Sequence, residues 1–336
     1  DPLKQEVLDF VGGRDDLKAG VIRTIGEPAA RFAEDRLRLL RTLRFAARFG
    51  YRIEEKTWEA LREARQGIEQ VSAERIRDEL LKMLTEGGAR RAFELLDASG
   101  LLGILLPEVA KMKGVEQPPQ FHPEGDVWVH TLLMLEKMER PTPTLALGAL
   151  LHDVGKPPTF RPAGSGSERI RFDGHVEVGV RMAEEICGRL RLSNRDTERV
   201  SELVRHHLRF KDAPKMRQST FKRFISMEEF DEHLELNRLD CLASHGDLTN
   251  YEFIREKRAS LPPEEVRPPR LVTGHDLKAM GYRPGPGMGE ILHAVEEAQL
   301  EGSLRSAQEA RRFVQERFPL AAGGDHRSAA AKGKES

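Results

Sequence analysis

The sequence predicts a mainly α-helical protein that has a short β segment near its N-terminus. Apolar residues recur at spacings of three and four through most of the chain, and this spacing is typical of amphipathic helices. The alternation of β-branched and aromatic residues that marks strands is scarce. With 336 residues and a hydrophobic fraction of 39%, the chain is long enough for two or three domains.

Charged residues make up 32% of the chain, but they nearly cancel to a formal net charge of −1. Any nucleic-acid contact must therefore come from local basic surfaces, because the chain has no overall positive field. Two cysteines are too few for a disulfide framework, and no apolar run of about 18 residues could span a membrane. These features predict a cytoplasmic protein with no membrane partner, and they leave its oligomeric state open.

The predicted β segment lies in residues 12–26, where a Gly-Gly turn precedes VIRTI. Its partner strands should lie upstream of Asp1, where the sequence starts without a methionine. We therefore expect a preceding segment. A long helix should run from Pro28, a favoured first-turn residue, to a cap at Gly50. Shorter helices are predicted next, over residues 56–66, 73–86, 89–98 and 100–106.

One side of the predicted long helix is apolar and the other is charged. At 100° per residue, the apolar side contains Ala33, Leu37, Leu40, Leu43 and Ala47. The charged side contains Glu34, Asp35, Arg38, Arg41 and Arg48. Because Asp35 and Arg38 are three residues apart, their side chains should be neighbours on the helix surface.

Two interpretations of this neighbouring pair fit the spacing. The pair could be an ion pair of the helix surface, worth about 0.3–0.5 kcal/mol. Alternatively, it could read a nucleobase, with the carboxylate accepting from an exocyclic amino group and the guanidinium donating to ring acceptors. The second interpretation suits cytosine and adenine, since both bases carry that amino group. The spacing alone leaves both interpretations open.

Three ordered sequence blocks resemble those that follow the catalytic centre in bacterial CCA-adding enzymes and poly(A) polymerases, the class II tRNA nucleotidyltransferases. The hinge block matches at Asp9, Gly12, Gly13, Asp16 and Leu17. The nucleotide-selecting EDxxRxxR block matches at Glu34, Asp35, Arg38 and Arg41. The block after it matches at Ser72, Glu74, Arg75, Glu79 and Lys82.

This resemblance implies the addition of C and A to tRNA 3′ ends from CTP and ATP. It implies that Asp35 and Arg38 bind the incoming nucleotide, and that Arg41 orients them or contacts the triphosphate. It also implies tRNA as the partner. Candidate contacts with the tRNA backbone are Arg90, Arg91, Arg305, Arg311 and Arg312.

In that family, a DxD pair of carboxylates holds Mg²⁺ for the transfer reaction. This sequence contains no DxD, no Gly-Ser loop before one and no RRD block. No residue of the chain is therefore predicted to catalyse nucleotidyl transfer. We expect the catalytic head, with its carboxylates and its Mg²⁺, to be missing from this sequence.

The second half of the chain carries most of the histidines. His152 and Asp153 are adjacent in an apolar helix, where two polar side chains need partners, and metal ligation would supply them. With His130 and Asp240, this pair resembles the metal ligands of HD-superfamily phosphohydrolases. Imidazole and carboxylate ligands suit manganese, iron, nickel, cobalt or magnesium.

The HD resemblance implies further candidates at this centre. His175, His206 and His207 occupy the places of ligands for a second metal ion, and Lys156 could contact a phosphate. Alternative functions are therefore a stand-alone HD phosphohydrolase, acting on 2′,3′-cyclic phosphates, 2′-nucleotides or other phosphoesters, and a non-enzymatic tRNA-binding scaffold.

Segments rich in Pro and Gly, taken with both resemblances, predict five parts of the chain. The Pro- and Gly-rich residues 111–126 mark a boundary between two of them. In order, the parts are the end of the head with the hinge (1–27), a helical neck and body (28–112), an HD domain (113–256), a helical tail (257–320) and a disordered C-terminus (321–336).

Overall fold

The computed structural model describes residues 8–120, 122–164 and 169–320. These residues are mainly helical and contain only two short strands, which confirms the predicted fold class. The predicted disordered segment, residues 321–336, lies outside the described residues.

Most helices of the described residues are joined by short connections, but the segment 111–126 is a long one. Up to residue 211, they are α1 (Gly13–Ala19), α2 (Pro28–Glu34), α3 (Arg38–Phe49), α4 (Glu55–Ala64), α5 (Ala73–Thr85), α6 (Ala89–Ser99), α7 (Leu101–Leu105), α8 (Pro107–Ala110), α9 (Val127–Lys137), α10 (Pro143–Leu151), α11 (Lys156–Thr159), α12 (His175–Arg189) and α13 (Asn194–His206). The later ones are α14 (Gln218–Ile225), α15 (Phe230–Ala243), α16 (Thr249–Ser260), α17 (Pro263–Val266), α18 (Gly274–Ala279), α19 (Pro286–Leu300) and α20 (Ala307–Arg317). Two 3₁₀ helices cover Arg65–Gln70 and His207–Lys215.

The two strands are β1 (Val21–Ile22) and β2 (Arg52–Ile53), and they pair in parallel with Val21 opposite Arg52. β1 therefore has a partner strand downstream in this chain, which the sequence did not lead us to expect. The connection between the strands contains α2 and α3, as a parallel pair requires a crossover. The Gly-Gly step before β1 is the start of α1, with Gly12 as its left-handed cap.

The predicted long helix is broken. α2 ends at Glu34, Asp35 is extended with φ −147° and ψ 104°, and α3 begins at Arg38. The Asp35 carboxylate accepts a hydrogen bond from the backbone N–H of Leu37, a local bond that competes with helical hydrogen bonding. Because the break changes the register of the two faces, Ala33 is exposed, whereas the predicted apolar residues of α3 are buried.

Contacts divide the described residues into two compact units. The first contains the residues up to Lys211 together with Asp231–Tyr251. Its main apolar core is continuous from Phe32 of α2 to Val204 of α13 and includes Phe93 and Leu150. The neck and HD residues of this unit therefore share one hydrophobic core, and their packing stabilises both.

The second unit contains Asp212–Phe230 and the described residues from Glu252 onwards. Its own apolar core is built mainly on α18, α19 and α20 around Leu277, Ile291 and Val314. The buried Tyr282 hydroxyl donates a hydrogen bond of 2.7 Å to the Phe318 carbonyl, which ties the end of α20 to the rest of this small core.

Candidate functional site

Most of the arginine row on α3 is paired with α5. The buried Glu79 carboxylate accepts from Arg44 Nε at 2.8 Å and from Arg41 Nε at 3.3 Å. Glu86 accepts from Arg44 Nη1 at 3.1 Å and from Arg48 Nη1 at 2.6 Å. These charge-assisted hydrogen bonds fix α3 against α5. Arg41, a predicted nucleotide ligand, is thus already bound to Glu79, although its side chain remains 45% exposed.

Asp35 and Arg38 do not pair with each other, contrary to the surface-pair interpretation. Arg38 Nη1 donates to Glu34 Oε2 at 2.7 Å and to the Arg31 carbonyl at 2.9 Å. Asp35 instead receives Arg75 Nη2 at 3.1 and 3.2 Å from its two oxygens. Burial opposes ionisation of Asp35, but the Leu37 N–H and the Arg75 charge outweigh it and lower the pKa of this carboxyl.

Both side chains keep capacity for a ligand. An ionised carboxylate can accept about four hydrogen bonds, and Asp35 uses three contacts within the described residues. The two bonds of Arg38 both use Nη1. Asp35 and Arg38 are also only partly exposed, at 25% and 31% of their side chains. Rigid, partly exposed groups of this kind suit recognition of a base edge.

A second site gathers six residues from five elements of the first unit. His130 lies on α9, His152 and Asp153 follow α10, His175 begins α12, His207 follows α13, and Asp240 lies on α15. Gly155 makes this convergence possible, since a Cβ there would lie 2.1 Å from the His175 carbonyl oxygen. A side chain at position 155 would thus push α12, and His175 with it, away from the other residues of the cluster.

The four clustered histidines share one orientation. Their Nδ1 atoms donate outward: His152 to the Ala149 carbonyl, His175 to the Phe172 carbonyl, His207 to the Val204 carbonyl and His130 to the Glu124 carboxylate, at 2.6–2.9 Å. This places a proton on each Nδ1 and turns each Nε2 inward. All four Nε2 atoms are buried and lack a hydrogen bond within the described part of the chain.

Asp153 lies between the two halves of the cluster. Its Oδ2 is 3.1 Å from His152 Nε2, and its Oδ1 is 3.8 Å from His207 Nε2 and 3.9 Å from His175 Nε2. His130 Nε2 is 3.1 Å from Asp240 Oδ1. The ligand atoms of His130, His152 and Asp153 lie within 4.8 Å of one another, as do those of Asp153, His175 and His207. The residues therefore fit divalent metal ions, with Asp153 common to both groups.

Burial and neighbouring charges shift the pKa values of these groups in opposite directions. Burial alone would lower the pKa of His130, but the carboxylates of Asp240 and Glu124 raise it to about 9. Burial lowers the pKa of His207 to about 4. Burial also opposes ionisation of Asp153, yet His152 and Lys156 keep the pKa of Asp153 well below its usual range. Asp153 is therefore ionised and His207 is neutral near pH 7, as metal ligands must be, whereas His130 is protonated there and must release its Nε2 proton to bind a metal ion.

Two predicted residues at this centre are placed differently. His206 points away from the cluster, and its Nε2 is 3.0 Å from Glu202 Oε2, so it is not grouped with the second set of ligands. The buried Lys156 lies beside the cluster, but its ammonium donates to Asp153 Oδ2 and to Gln117 Oε1, each at 2.6 Å. One of its three donors is left for a phosphate.

The sequence reasoning missed Gln117, His122 and Glu124. All three lie in the segment 111–126, which was interpreted as a boundary because it is rich in Pro and Gly. Glu124 Oε1 accepts from His130 Nδ1 at 2.7 Å and from His122 Nδ1 at 2.9 Å. These bonds outweigh burial and lower the pKa of Glu124 to about 2. The density of His, Gln and Glu in a short Pro-rich segment was the available signal.

Comparison with known proteins decides the family. Residues 50–113 match the family model described as the probable RNA and SrmB-binding site of polymerase A, and residues 127–243 match the HD domain model. The A-adding tRNA nucleotidyltransferase of Deinococcus radiodurans is 34% identical over 331 residues, covering 93% of this chain and 74% of the relative. The chain belongs to the tRNA nucleotidyltransferase family.

Other relatives of this nucleotidyltransferase carry related names. The CC-adding tRNA nucleotidyltransferase of Thermus thermophilus is 33% identical over 324 residues, with coverage of 92% of this chain and 72% of the relative. Among solved structures, the Bacillus stearothermophilus CCA-adding enzyme in complex with CTP has a TM-score of 0.63 at 21% identity, covering 92% of this chain and 68% of that one. The Thermotoga maritima CCA-adding enzyme complexed with tRNA has a TM-score of 0.51 at 20% identity, covering 93% and 67%. At these identities the structures support the fold.

These comparisons confirm the family resemblance and the HD domain of this tRNA nucleotidyltransferase. The chain is also shorter than these relatives, because it covers 74% and 72% of their lengths. The HD domain contains a His and Asp cluster that is compatible with a divalent metal ion. In the described residues, no helix has the length and apolar character needed to cross a bilayer.

Proposed function

We propose that this chain supplies the nucleotide-selecting and tRNA-binding part of an enzyme that adds nucleotides to tRNA 3′ ends. Asp35 would accept from the amino group of cytosine or adenine, Arg38 would donate to ring acceptors, and Arg41 would orient them or contact the triphosphate. The single observation that carries this proposal is the 34% identity to an A-adding enzyme over 93% of the chain. The remaining capacity of the Asp35 carboxylate supports it.

The predicted division into head end, neck and body, HD domain and tail is part of this proposal. The match to an RNA-binding family model over residues 50–113 supports tRNA binding by the body. Arg90 and Arg91, two candidates for tRNA contact, lie in that region but already donate to Glu94, Glu136 and the Tyr51 carbonyl. Because the sequence contains no DxD, Mg²⁺-dependent transfer would need carboxylates outside this sequence.

Calorimetry of the full chain with each nucleoside triphosphate tests the nucleotide proposal. We expect CTP or ATP, or both, to bind more tightly than GTP and UTP, and Asp35→Ala or Arg38→Ala to remove that preference. Glu59→Gln, which changes an exposed carboxylate on α4, is the matched control and should keep the preference. Equal binding of all four nucleotides, or a preference that survives Asp35→Ala, would contradict the proposal.

We also propose that the HD domain is a metal-dependent phosphohydrolase. His130, His152, Asp153 and Asp240 would hold one ion, and Asp153, His175 and His207 would hold a second. The ions would be Mn²⁺, Ni²⁺, Co²⁺ or Mg²⁺, and they would supply Lewis-acid chemistry for phosphoester hydrolysis. The observation that favours this function is the set of four buried, inward-facing Nε2 atoms without hydrogen bonds in the described residues. Lys156 would orient Asp153 and offer its third proton to a phosphate oxygen.

A phosphoester panel tests the second function. With Mn²⁺, the purified chain should hydrolyse a 2′,3′-cyclic nucleotide, a 2′-nucleotide or p-nitrophenyl phosphate, and His152→Ala should remove that turnover. His206→Ala is the matched control, because His206 lies outside the cluster. Absence of turnover across the panel would contradict the phosphohydrolase function.

Steeply salt-dependent tRNA binding without turnover and without nucleotide preference would instead indicate an RNA-binding scaffold.

A further inference from the structure

The segment before α9 folds back on itself beside the metal cluster. Glu116 and Asp126 form an isolated antiparallel bridge, and the Gln117 N–H donates to the Gly125 carbonyl at 3.0 Å. Asp126 caps α9 by accepting from the Val129 N–H at 2.6 Å. The segment is therefore tied to the first turn of the helix that carries His130, and its side chains have a fixed position relative to that histidine.

Glu124 is the side chain of this segment that contacts a candidate ligand. Its Oε1 accepts from His130 Nδ1 at 2.7 Å, on the side of the imidazole opposite to the cluster. His122 Nδ1 donates to the same oxygen at 2.9 Å. The Glu124 side chain is 5% exposed, so water competes little for these bonds. Glu124 is thus held between two imidazoles.

His130 differs from the other three clustered histidines in its Nδ1 partner. His152, His175 and His207 each donate to a main-chain carbonyl three residues earlier. A carbonyl fixes the tautomer and the ring orientation. A carboxylate does the same and also raises the basicity of the imidazole, because its negative charge stabilises positive charge on the ring. His130 should therefore be a stronger metal ligand than its three neighbours.

We propose that Glu124 is a positioning residue of the HD centre, which fixes His130 with Nε2 toward the metal and strengthens it as a ligand, and that His122 holds the Glu124 carboxylate in place. The inference rests on the proposed metal centre and adds to it a carboxylate and a histidine from the segment before α9. Glu124 acts through His130 and does not contact the metal.

The same three residues could in principle hold an ion of their own, since their ligand atoms lie within 4.8 Å of one another. That arrangement would require His130 to bind ions through both nitrogens and so to lose both ring protons. Nδ1 of His130 is instead 2.7 Å from a carboxylate oxygen, a distance typical of a charge-assisted hydrogen bond. Positioning is therefore the interpretation that the geometry favours.

Mn²⁺ titration of the full chain by calorimetry tests this inference on wild type, Glu124→Ala, Glu124→Gln and Glu116→Gln. Loss of such an outer carboxylate typically weakens metal binding by about 10–100-fold, and we expect a loss in that range for Glu124→Ala. Glu124→Gln retains an accepting oxygen without the charge, so its loss should be smaller. The exposed Glu116 in the same segment is the matched control and should bind as wild type does.

Imidazole NMR provides a readout other than affinity. In the metal-free chain above about pH 9, where His130 is neutral, its Nδ1–H tautomer should persist in Glu124→Gln and should lose its preference in Glu124→Ala. Wild-type affinity in both Glu124 variants would overturn the inference while leaving the metal centre intact. The inference would also be overturned if the Glu124 variants bound one Mn²⁺ ion fewer per chain and bound the remaining ions with wild-type affinity. Absence of Mn²⁺ binding in wild type would overturn the metal centre itself. If Glu124→Ala does not fold, Glu124→Gln still tests the inference, because wild-type Mn²⁺ affinity in that variant would overturn it.

Discussion

The arginine helix α3 and the histidine cluster treat buried polar groups in opposite ways. On α3, Arg44 and Arg41 find their partner in Glu79, so a buried carboxylate and its cations satisfy one another. In the cluster, four buried imidazoles satisfy Nδ1 and leave Nε2 without a hydrogen bond in the described residues. Buried polar groups are normally paired. The first region is therefore complete as scaffold, whereas the second leaves nitrogen atoms that a ligand could use.

The largest effect on stability is expected from a change that breaks the ion pairs between α3 and α5. Glu79→Ala removes the carboxylate that pairs with the buried Arg44, and loss of one partner of a buried ion pair costs about 3–5 kcal/mol. We expect that decrease in the free energy of unfolding in urea. Glu86→Ala is the matched control, since Glu86 is 31% exposed and its loss should cost about 1 kcal/mol or less. Equal, small effects would show that the α3 and α5 charges do not stabilise the fold.

The next prediction concerns the ligand that would complete the cluster. At a free Mn²⁺ concentration 100 times its Kd, binding should raise the free energy of unfolding by about 2.7 kcal/mol. His152→Ala should lose this gain, because it removes one of the inward-facing Nε2 atoms. His206→Ala should keep it. A gain that persists in His152→Ala would place the bound Mn²⁺ elsewhere.

A third prediction uses a buried histidine outside the cluster. Burial, together with the charges of Arg199, His206 and Arg209, lowers the pKa of His233 to about 3. Below the ordinary histidine pKa of about 6.5, the unfolded chain takes up a proton that the folded chain refuses, so stability falls as pH falls. Between pH 6.5 and 5 this linkage should cost about 2 kcal/mol.

His233→Gln isolates this effect, because every other titrating group is common to both proteins. Urea unfolding in EDTA should show a smaller loss between pH 6.5 and 5 for the variant than for wild type. Identical losses would mean that His233 takes up its proton in the folded protein. His233 would then be charged when buried, as the paired side chains of α3 are.

Sequence reasoning predicted more of the cluster than of the arginine helix. His152 and Asp153 were predicted within an apolar helix and in fact follow the end of α10, but the reasoning holds, because two buried polar side chains need partners in either position. The partner of Arg44 does not follow in this way, since Glu79 lies 35 residues away and only packing brings the two together. The break at Asp35 was missed because a wheel drawn through residues 28–49 ignores the local bond from an Asp side chain to the Leu37 N–H. The contacts of Gln117 and Glu124 were not predicted, because Pro and Gly in segment 111–126 serve both linkers and tight loops and only a boundary was considered.

The smallest effect on stability is expected from a change at Asp35, which would show that this residue is not part of the ion-pair scaffold of α3. Asp35 contacts Arg75, which is 50% exposed, and exposed ion pairs contribute about 1 kcal/mol or less. Asp35→Ala should therefore lower the free energy of unfolding by no more than about 1 kcal/mol, although we propose that it removes nucleotide preference. Urea unfolding and calorimetry on the same preparation measure both quantities. A decrease as large as that of Glu79→Ala would make Asp35 part of the α3 scaffold, and its loss of nucleotide binding would then report unfolding and not base recognition.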